Sequence, residues 1–591
     1  MSNINNLSKI IEGGVSTWAT DLNLASHDAS LFEVKPVAVI YPKNVEDIKK
    51  LVRYVTDENN ANTQVNFVSK NPKHRPAKLT LTARSAGTDM SGGPLTESLV
   101  VDFTKNFNHI KEVIEKPSGN ISGVEITGSA VVEPGVYYRD FDKATLAKGG
   151  QILPSYPASR ELCTVGGMVA NNSGGEKTLV YGKTERYIRR LKMVCADGKE
   201  HEFKPLSMHE LEQTKKFPSF ESEIYRKMYE LIDKNYDLIQ HAKPAVSKNS
   251  SGYYLWNVWD KNIGKAQQTF DLTKMIVGSQ GTLGLITEIE FALVKPKKYS
   301  HMLVVFLKDL SQLAPTATEI MKFKPESFES YDDNTFRVAL KFLPSLIKKM
   351  KGNIIKLAFQ FIPEIFAVLT GGVPKMVLMA EFTADNDEEA LAMATKAHAS
   401  LVDTHIREKS LVTKTVQSSE KYWTIRRESF NMLRQHVKGV RTAPFIDDFV
   451  VPPVTLPRFL PRLYAVLGEY ERDLTYTIAG HIGDGNFHII PLMNLNDPKS
   501  KKIIEDLSVK VYKLIHEFHG SITGEHNDGI IRTPFVEMQY GHEVYKLFEE
   551  VKKIWDPAGI FNPGKKVAGE GTGTSRPGTL EYAFDHVVKS S

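Results

Sequence analysis

Two histidines lie on either side of a predicted tight turn, where they could bind one metal ion together. In the stretch HIGDGNFH, His481 and His488 flank Asp484 and Gly485, and apolar, strand-like sequence continues in both directions. An Asp-Gly pair between apolar runs predicts a β-hairpin, because both residues tolerate the backbone conformation of a tight turn. A two-residue turn at Asp484-Gly485 would place His481 directly opposite His488.

Directly opposite side chains of a hairpin lie about 5 Å apart at Cβ, which is near enough for two imidazoles to bind one divalent ion. Asn486 is predicted to share their face of the hairpin. Gly480, Gly483 and Gly485 remove side-chain bulk near the pair, as the close approach of a ligand requires. Alternatively, the two histidines only form hydrogen bonds with their neighbours. A metal site would also need a third ligand, which the hairpin itself does not supply.

Three glycine-rich loops in the first half of the chain could bind a second, larger ligand. They span Arg84–Gly93 (RSAGTDMSGG), Thr164–Gly175 (TVGGMVANNSGG) and Val277–Thr287 (VGSQGTLGLIT). Small residues let the main chain approach a flat or phosphorylated ligand, and consecutive backbone amides can bind a pyrophosphate. No GxGxxG motif directly precedes a predicted helix between residues 80 and 295, which argues against a Rossmann domain.

The composition is typical of a soluble globular protein with two or more domains. The chain has 591 residues and a net charge of +5, which gives no reason to expect nucleic-acid binding. Its two cysteines, Cys163 and Cys195, exclude a disulfide framework, a Cys-based zinc site and an iron–sulfur cluster built by this chain alone. We see no targeting signal and no apolar run that could span a membrane, so we expect a cytoplasmic protein.

Helix and strand signals place these motifs in a mixed α and β architecture. The stretch VKPVAVIYPKNVEDIKKLVRYV predicts a strand and then a helix that is capped by Asn44. Ala196-Asp197-Gly198 predicts a second hairpin, and SKKIIEDLSVKVYKLIHEFHG predicts a helix closed by Gly520. Between about 300 and 440, acidic helical stretches follow apolar strands, which is typical of an α+β domain.

Together, and in this order, the three loops resemble the FAD-binding domain of the vanillyl-alcohol oxidase superfamily. Five further segments resemble landmarks of that family: HDASLF (His27–Phe32), AVIYPKNVEDI, EPGVYYRDF (Glu133–Phe141), SSGYYLWNV (Ser250–Val258) and DPAGIFNPGK (Asp556–Lys565). The resemblance covers residues from about 15 to 566, and it places the chain in the branch of the D-lactate, glycolate and D-2-hydroxyglutarate dehydrogenases.

The resemblance implies an α+β fold in which a PCMH-type (vanillyl-alcohol oxidase-like) FAD-binding domain precedes an α+β substrate-binding cap domain. The FAD-binding domain is expected at residues 1–297, with its core from about 34, and the cap domain with the metal hairpin at 298–520. Residues 521–566 would close the active site, and 567–591 would form a flexible tail.

By the same resemblance, the glycine-rich loops bind FAD noncovalently. Superfamily members that attach flavin covalently have a histidine in the first loop, where this chain reads Ala86-Gly87-Thr88. The residues expected to contact FAD are Arg84, Ser85, Ala86, Gly87, Thr88, Asp89, Ser91, Gly92, Pro157, Thr164, Gly166, Gly167, Asn171, Ser173, Gly174, Gly175, Tyr181, Gly182, Gly278, Gly281, Thr282, Ile286 and Asn562.

The resemblance also supplies the third metal ligand and the catalytic groups. Glu525, in GEHNDG, completes a site with the hairpin histidines that suits zinc, or else manganese or iron. The ion would chelate a D-2-hydroxy acid while neutral His526 removes the hydroxyl proton and the α-hydrogen leaves as a hydride. Arg426, in YWTIRRES, would bind the substrate carboxylate through two hydrogen bonds, and Asn486 would hold a substrate oxygen.

Two further segments bear on the substrate and the electron acceptor. Family members that take a dicarboxylate have a lysine near the strand PFIDDFVVP, where this chain has Ile446 and Asp447, so a small monocarboxylate such as D-lactate is favoured. The segment Phe336–Phe366 has one basic and one apolar helical face, which is typical of a packed cap helix or of peripheral contact with an anionic membrane. Contact with the inner face of the membrane would favour a quinone or a cytochrome as the electron acceptor.

Several other functions remain open at this stage. Within the family, the chain could be a glycolate or D-2-hydroxyglutarate dehydrogenase, or a non-redox flavoenzyme such as an ether-lipid (alkylglycerone-phosphate) synthase. Outside it, a zinc hydrolase without flavin would also use the paired histidines and Glu525. The combination of metal ligands, Arg426 and FAD loops fits the dehydrogenases best, and a pure binding protein would not need these reactive groups.

Overall fold

The structure, a computed structural model, describes residues 2–68, 78–117, 119–341, 372–401, 406–407, 409–415, 418–427, 440–570 and 576–588. Most of the predicted amphipathic segment Phe336–Phe366 lies outside these residues. In the part of the chain that the structure describes, no helix is long and apolar enough to cross a bilayer.

A small, mainly parallel sheet forms the N-terminal part of the fold. Its strands are, in spatial order, Gly14–Ser16, Ala38–Tyr41, Leu99–Asp102 and Leu81–Arg84. Parallel pairing requires a crossover, and the helix Val45–Val68 lies in it. Asn44 caps this helix as predicted, since its Oδ1 accepts a 3.0 Å hydrogen bond from the amide of Asp47. The C-terminal segment returns to the same sheet, where Phe561 pairs with Leu81.

A second sheet is antiparallel, and the third glycine-rich loop runs into its strand Leu285–Leu293. Its strands are, in spatial order, Glu200–Phe203, Ile188–Val194, Leu285–Leu293, Gly128–Val132 and Ile110–Glu115. The hairpin predicted at Asp197 is confirmed, because Glu200 pairs with Val194 and Gly198 has a φ of 66°. The helices Phe220–Lys234 and His542–Trp555 contribute buried side chains to the same core as this sheet.

A third sheet follows in the chain and carries the histidine hairpin. Its strands are, in spatial order, Ser410–Val412, Tyr299–Leu307, Met376–Ala384, Ser327–Asp332, Thr475–His481, Asn486–Met493 and Arg441–Thr442, with Phe449–Val450 also paired to Asn486–Met493. The helices Leu456–Gly468 and Ser500–Glu517 pack in its core. The three sheets give the α+β class that the sequence predicted, while the domain boundaries stay predictions.

The remaining elements are short ribbons and helices. Two-stranded ribbons pair Leu206–Ser207 with Thr269–Phe270 and Asn120–Ile121 with Val124–Glu125. The other helices are Ser2–Ile10, Ala19–Ala25, Tyr138–Gly149, Val165–Asn171, Thr178–Tyr181, Met208–Thr214, Tyr236–His241, Thr273–Ile276, Leu313–Met321, Asp333–Lys341, Asp387–Ala399, residues 418–427, Gly529–Arg532, Val536–Tyr540 and Leu580–Asp585.

The helix Ser500–Glu517 ends in a different way from the simple sequence expectation. The helix Ser500–Glu517 ends before Gly520, and the left-handed residue after it is His519, with a φ of 55°. Gly520 instead donates its amide to the carbonyl of Ile515 at 3.0 Å, so it terminates the helix without itself being left-handed. Near the C-terminus, the helix Leu580–Asp585 is anchored by the buried ring of Tyr582.

Candidate active site

The hairpin that carries the two histidines has a longer turn than the sequence predicted. His481 lies opposite Asn486, so the predicted pairing of His481 with His488 across a two-residue turn is wrong. The strands are joined by a 3₁₀ turn over Ile482–Asp484, so the loop comprises residues 482–485 and is two residues longer than predicted, both of them taken from the first strand. The partner of each residue shifts by two positions, which is the side-chain period of a strand, so both histidines stay on one face, and their imidazole centroids are 5.3 Å apart.

The glycines near the histidines serve close backbone packing, which corrects their predicted role of clearing space for a ligand. A Cβ at Gly480 would lie 2.2 Å from the carbonyl oxygen of Asn486. A Cβ at Gly485 would lie 1.9 Å from that of Val451, and its φ of 67° is itself unfavourable for other residues. These glycines therefore allow three backbone segments to meet behind the histidines.

His481, His488 and Glu525 form a group that could hold a metal ion. One ligand atom from each residue lies within 4.8 Å of the others, and Nε2 of His481 is 3.3 Å from Oε1 of Glu525. Nδ1 of His481 is 2.6 Å from Glu329, and Nδ1 of His488 is 3.2 Å from Asp447. Because a carboxylate engages Nδ1 of each ring, Nε2 remains for an ion, as in metal sites with carboxylate-oriented histidines.

A buried lysine fixes the carboxylate of Glu525. Nζ of Lys248, which is fully buried, lies 2.6 Å from Oε1 of Glu525 and 3.2 Å from Asp484. Burial by itself would raise the pKa of Glu525, but Lys248 and His481 hold it well below the usual value. Glu525 is therefore ionised, as a metal ligand must be.

His526 stands next to this group with its ring held by one carboxylate. Its Nδ1 lies 2.7 Å from Oδ2 of Asp447, and its backbone amide donates to Asp448 at 2.6 Å. Burial would lower the pKa of His526, but the charges of Asp448 and Asp447 outweigh it and raise the pKa to about 9. With Nδ1 engaged, Nε2 is the nitrogen that can exchange a proton with a ligand.

The adjacent Asp447 and Asp448 organise the site, and sequence reasoning missed both roles. Asp447 is fully buried and reaches both His488 and His526. Asp448 has a φ of 67° and accepts hydrogen bonds from the hydroxyl of Thr523 and from the backbone amides of Glu525 and His526. The signal in the sequence was a pair of acidic residues inside the apolar strand PFIDDFVVP, where ionised groups need partners.

Arg426 reaches the metal group through a second missed carboxylate. Its Nε lies 2.5 Å from Oε2 of Glu329, whose other oxygen contacts His481. Among the described residues, Nη2 of Arg426 is buried without a hydrogen-bond partner, although Arg426 lines a cavity. A buried donor without a partner is costly, which indicates that this edge of the guanidinium serves a ligand.

The predicted contact of Asn486 with a substrate oxygen stays a prediction, and among the described residues its Oδ1 is buried without a hydrogen-bond partner. The residue is fully buried, and it is not among the residues that line the cavity. Its Nδ2 donates to Asp448 and to the carbonyl of Phe449, both at 3.1 Å. Asn486 therefore supports Asp448 from behind, because the longer turn leaves its amide against the strand Phe449–Val450.

A cavity of about 550 Å³ joins this group to the glycine-rich loops. Arg426, His481, His488, Glu525 and His526 all contribute to its wall. The predicted FAD contacts that line it are Ser85, Ala86, Gly87, Thr88, Asp89, Pro157, Thr164, Gly166, Gly167, Asn171, Ser173, Gly174, Gly281 and Ile286. At Gly167 and Gly281, a Cβ would meet no protein atom nearer than 3.4 Å, so it would project into ligand space.

The other predicted FAD contacts do not line the cavity: Arg84, Ser91, Gly92, Gly175, Tyr181, Gly182, Gly278, Thr282 and Asn562. Several of them hold the loops from behind. Arg84 donates to backbone carbonyls of residues 24, 25 and 27, and Asn562 donates to the carbonyls of Gly93 and Gln280. Sequence patterns locate such loops but cannot distinguish the residues that line the cavity from those that hold the loop in place through hydrogen bonds.

Two family models match most of the chain. The model described as FAD binding domain matches residues 36–204, and the model described as FAD linked oxidases, C-terminal domain, matches residues 296–566. The second match contains both hairpin histidines and the Glu525–His526 pair.

Several relatives are similar to this chain over almost its whole length. A D-2-hydroxyglutarate dehydrogenase from Pseudomonas putida is 25% identical over 551 residues, which cover 93% of this chain and 50% of that protein. The glycolate oxidase subunit GlcD from Bacillus subtilis is 25% identical over 556 residues, which cover 92% of each chain. The chain thus spans about half the length of the first relative and nearly all of the second.

Solved structures share the fold. An alkyldihydroxyacetonephosphate synthase superposes with a TM-score of 0.63 at 12% identity, covering 95% of this chain and 86% of that one. p-Cresol methylhydroxylase with substrate bound superposes with a TM-score of 0.62 at 13% identity, covering 96% of each. At these identities the likeness establishes the fold alone, and it confirms the predicted PCMH-type architecture.

Proposed function

This chain belongs to the FAD-linked D-2-hydroxyacid dehydrogenase branch of the vanillyl-alcohol oxidase superfamily, and we propose that it oxidises a small D-2-hydroxy acid to the 2-oxo acid. One observation carries the proposal: a candidate metal group, a histidine base and an arginine line the same cavity as the glycine-rich loops. FAD bound noncovalently by these loops would accept the hydride that leaves the α-carbon.

His481, His488 and Glu525 suit zinc, because two imidazoles and one carboxylate leave an open position for substrate. A divalent ion held there would supply positive charge, which lowers the pKa of a substrate hydroxyl and of the nearby His526. That effect opposes Asp447 and Asp448, whose charges otherwise raise the pKa of His526 to about 9.

The other side chains of the site would transfer the hydroxyl proton and bind the substrate carboxylate. Nε2 of His526 takes the proton of the substrate hydroxyl, while Asp447 holds Nδ1 and so fixes the ring and its tautomer. Arg426 binds the substrate carboxylate through Nη2, because Glu329 engages its Nε. Glu329 thereby couples the position of the substrate anchor to that of His481.

We favour D-lactate as the substrate. Family members that take a dicarboxylate have a lysine near Ile446 and Asp447, and here the Asp447 carboxylate is engaged by two histidines. Apolar groups of Ala479 and Ile490 line the substrate end of the cavity. The names of the relatives make glycolate and D-2-hydroxyglutarate the alternatives. We propose a quinone or a cytochrome as the electron acceptor, because the segment Phe336–Phe366 has one basic and one apolar helical face in its sequence, as peripheral contact with an anionic membrane requires.

Rapid mixing of the purified yellow protein with D- and L-lactate, glycolate and D-2-hydroxyglutarate tests this function. We expect bleaching of the flavin band by D-lactate and much slower bleaching by L-lactate. Precipitation with acid should release the flavin into solution, since no covalent bond is proposed. If no hydroxy acid of either hand bleached the flavin, the non-redox alternative of an ether-lipid synthase would replace the dehydrogenase.

A further inference from the structure

A second arginine lines the cavity beside Arg426, but a glutamate already binds it. Nη2 of Arg427 lies 2.7 Å from each carboxylate oxygen of Glu176. Both residues belong to the cavity wall, and the ring of Trp423 packs against the guanidinium of Arg427 at 4.7 Å. Arg427 therefore faces the cavity as half of an ion pair.

This ion pair lies at the end of the cavity where the proposed reaction takes place. Gly174, two residues before Glu176, is so close to the metal group that its Cβ would lie 3.4 Å from Oε1 of Glu525. The carbonyl of Gly175 accepts a hydrogen bond from Lys248, which also holds Glu525. On the other side, Arg427 directly follows the proposed carboxylate anchor in a helix.

Glu176 remains ionised in this setting. Burial would raise the pKa of Glu176, but the charge of Arg427 and their hydrogen bonds lower it below the usual value. A second guanidinium, that of Arg160, lies 3.9 Å from the same carboxylate. Among the described residues that line the cavity, each of the three arginines thus has a carboxylate within 4 Å, since Arg426 contacts Glu329.

We infer that Glu176 is a specificity-determining residue, which disfavours substrates with a second carboxylate by occupying Arg427. A dicarboxylate would have to displace Glu176 from the guanidinium or leave its own distal charge without a cation in the cavity. A monocarboxylate needs only Arg426 and leaves the ion pair intact. This inference deepens the proposed function and rests on it for the identity of the substrates.

The variant Glu176→Gln tests the inference, because it keeps the shape of the side chain and removes its charge. The FAD-loaded enzyme is titrated with glutarate and with pentanoate, which have the same chain length and differ by one carboxylate. We expect the variant to favour glutarate over pentanoate by about 10-fold or more relative to wild type, because a guanidinium that faces only a neutral amide exchanges it for charge-assisted hydrogen bonds to the second carboxylate. The kcat/KM ratio of D-2-hydroxyglutarate to D-2-hydroxypentanoate should rise in parallel.

Two control variants test whether a change in selectivity arises from Arg427 or from the loss of any negative charge at the cavity wall. Glu161→Gln removes one negative charge from the same cavity wall, but Glu161 lies near Arg160 and makes no contact with Arg427. We expect it to change the selectivity by less than about 2-fold, since a solvent-exposed charge is strongly screened. In the double variant Glu176→Gln/Arg427→Gln, the gain for dicarboxylates should disappear.

Three results for the selectivity between glutarate and pentanoate would contradict the role of Glu176. An equal gain in Glu161→Gln, a gain that persists in the double variant, or an unchanged glutarate preference in Glu176→Gln would each overturn it. Glu176→Ser is the second variant, because it also releases Arg427 with a small polar side chain if Gln is not tolerated. Titration with glutarate and pentanoate requires no turnover, so it decides the inference even if no hydroxy acid reduces the flavin.

Discussion

The carboxylate of Asp447 joins two histidines, and its replacement by an amide tests how the candidate site is oriented. Oδ1 of Asp447 lies 3.2 Å from Nδ1 of His488, and Oδ2 lies 2.7 Å from Nδ1 of His526. In Asp447→Asn one of these acceptors becomes an NH2 donor, so only one histidine can keep its hydrogen bond. The shorter contact is the stronger, and we expect the amide oxygen to stay with His526.

The substitution would then remove the hydrogen-bond acceptor of Nδ1 of His488. Facing an NH2 group, Nδ1 of His488 must act as an acceptor, which puts the ring proton on Nε2, the nitrogen that an ion needs. Loss of such an orienting partner typically lowers metal affinity by about 10- to 100-fold. Flavin reduction should therefore slow at low metal concentration and recover largely when zinc is added in excess. FAD content should stay at the wild-type level, because Asp447 does not line the cavity.

Competition with a chromogenic chelator gives the metal affinity, and rapid-mixing absorbance gives the rate of flavin reduction. Asp387→Asn is the matched control, since Asp387 lies 3.1 Å from Nε2 of His301 but neither residue lines the cavity. Wild-type metal affinity in Asp447→Asn would refute the orienting role of this carboxylate. A slow reduction that excess zinc does not restore would show instead that His526 had lost its hydrogen bond.

Three further substitutions address the metal, the base and the anchor. His481→Ala should lower bound zinc and turnover together while FAD stays bound, as measured by elemental analysis and flavin absorbance. His526→Ala should slow flavin reduction by about 100-fold or more, as expected for a lost general base, with a smaller effect on substrate binding measured by rapid mixing. Arg426→Lys should mainly raise the substrate concentration needed for half-maximal reduction, because one ammonium group cannot serve both Glu329 and a substrate carboxylate. Full zinc in the first variant, wild-type reduction in the second or unchanged saturation in the third would contradict the corresponding role.

The parts of the site that could be predicted from the sequence are those encoded locally. The three glycine-rich loops were recognisable because small residues and turn residues occur together, and each loop contributes to the cavity wall. The hairpin at His481 was recognisable from its turn, although the turn is longer than predicted. Both histidines still share one face, because the pairing shifts by two residues, which is the side-chain period of a strand.

The residues that orient the site escaped prediction because their contacts are remote in sequence. Glu329 is 152 positions from His481, and Lys248 is 277 positions from Glu525. Nothing in a single sequence pairs such residues. What the sequence does contain in one place is an acidic pair in an otherwise apolar stretch, Asp447 and Asp448 in PFIDDFVVP, whereas the strand around Glu329, SFESYD, shows no such contrast. A buried charge needs a partner, so each anomaly of this kind is a candidate for the support of a functional group.

The residues that support the candidate site come from three separate parts of the fold. Glu329 comes from the third sheet, Lys248 from the part that carries the glycine-rich loops, and Glu525 from the C-terminal segment. The candidate metal group of His481, His488 and Glu525 is therefore complete only when all three parts are packed together. An ion that binds the folded chain and not the unfolded one stabilises the folded state by an amount set by its affinity. The same ligands that prepare the cavity for a hydroxy acid would thus also join the third sheet to the rest of the protein.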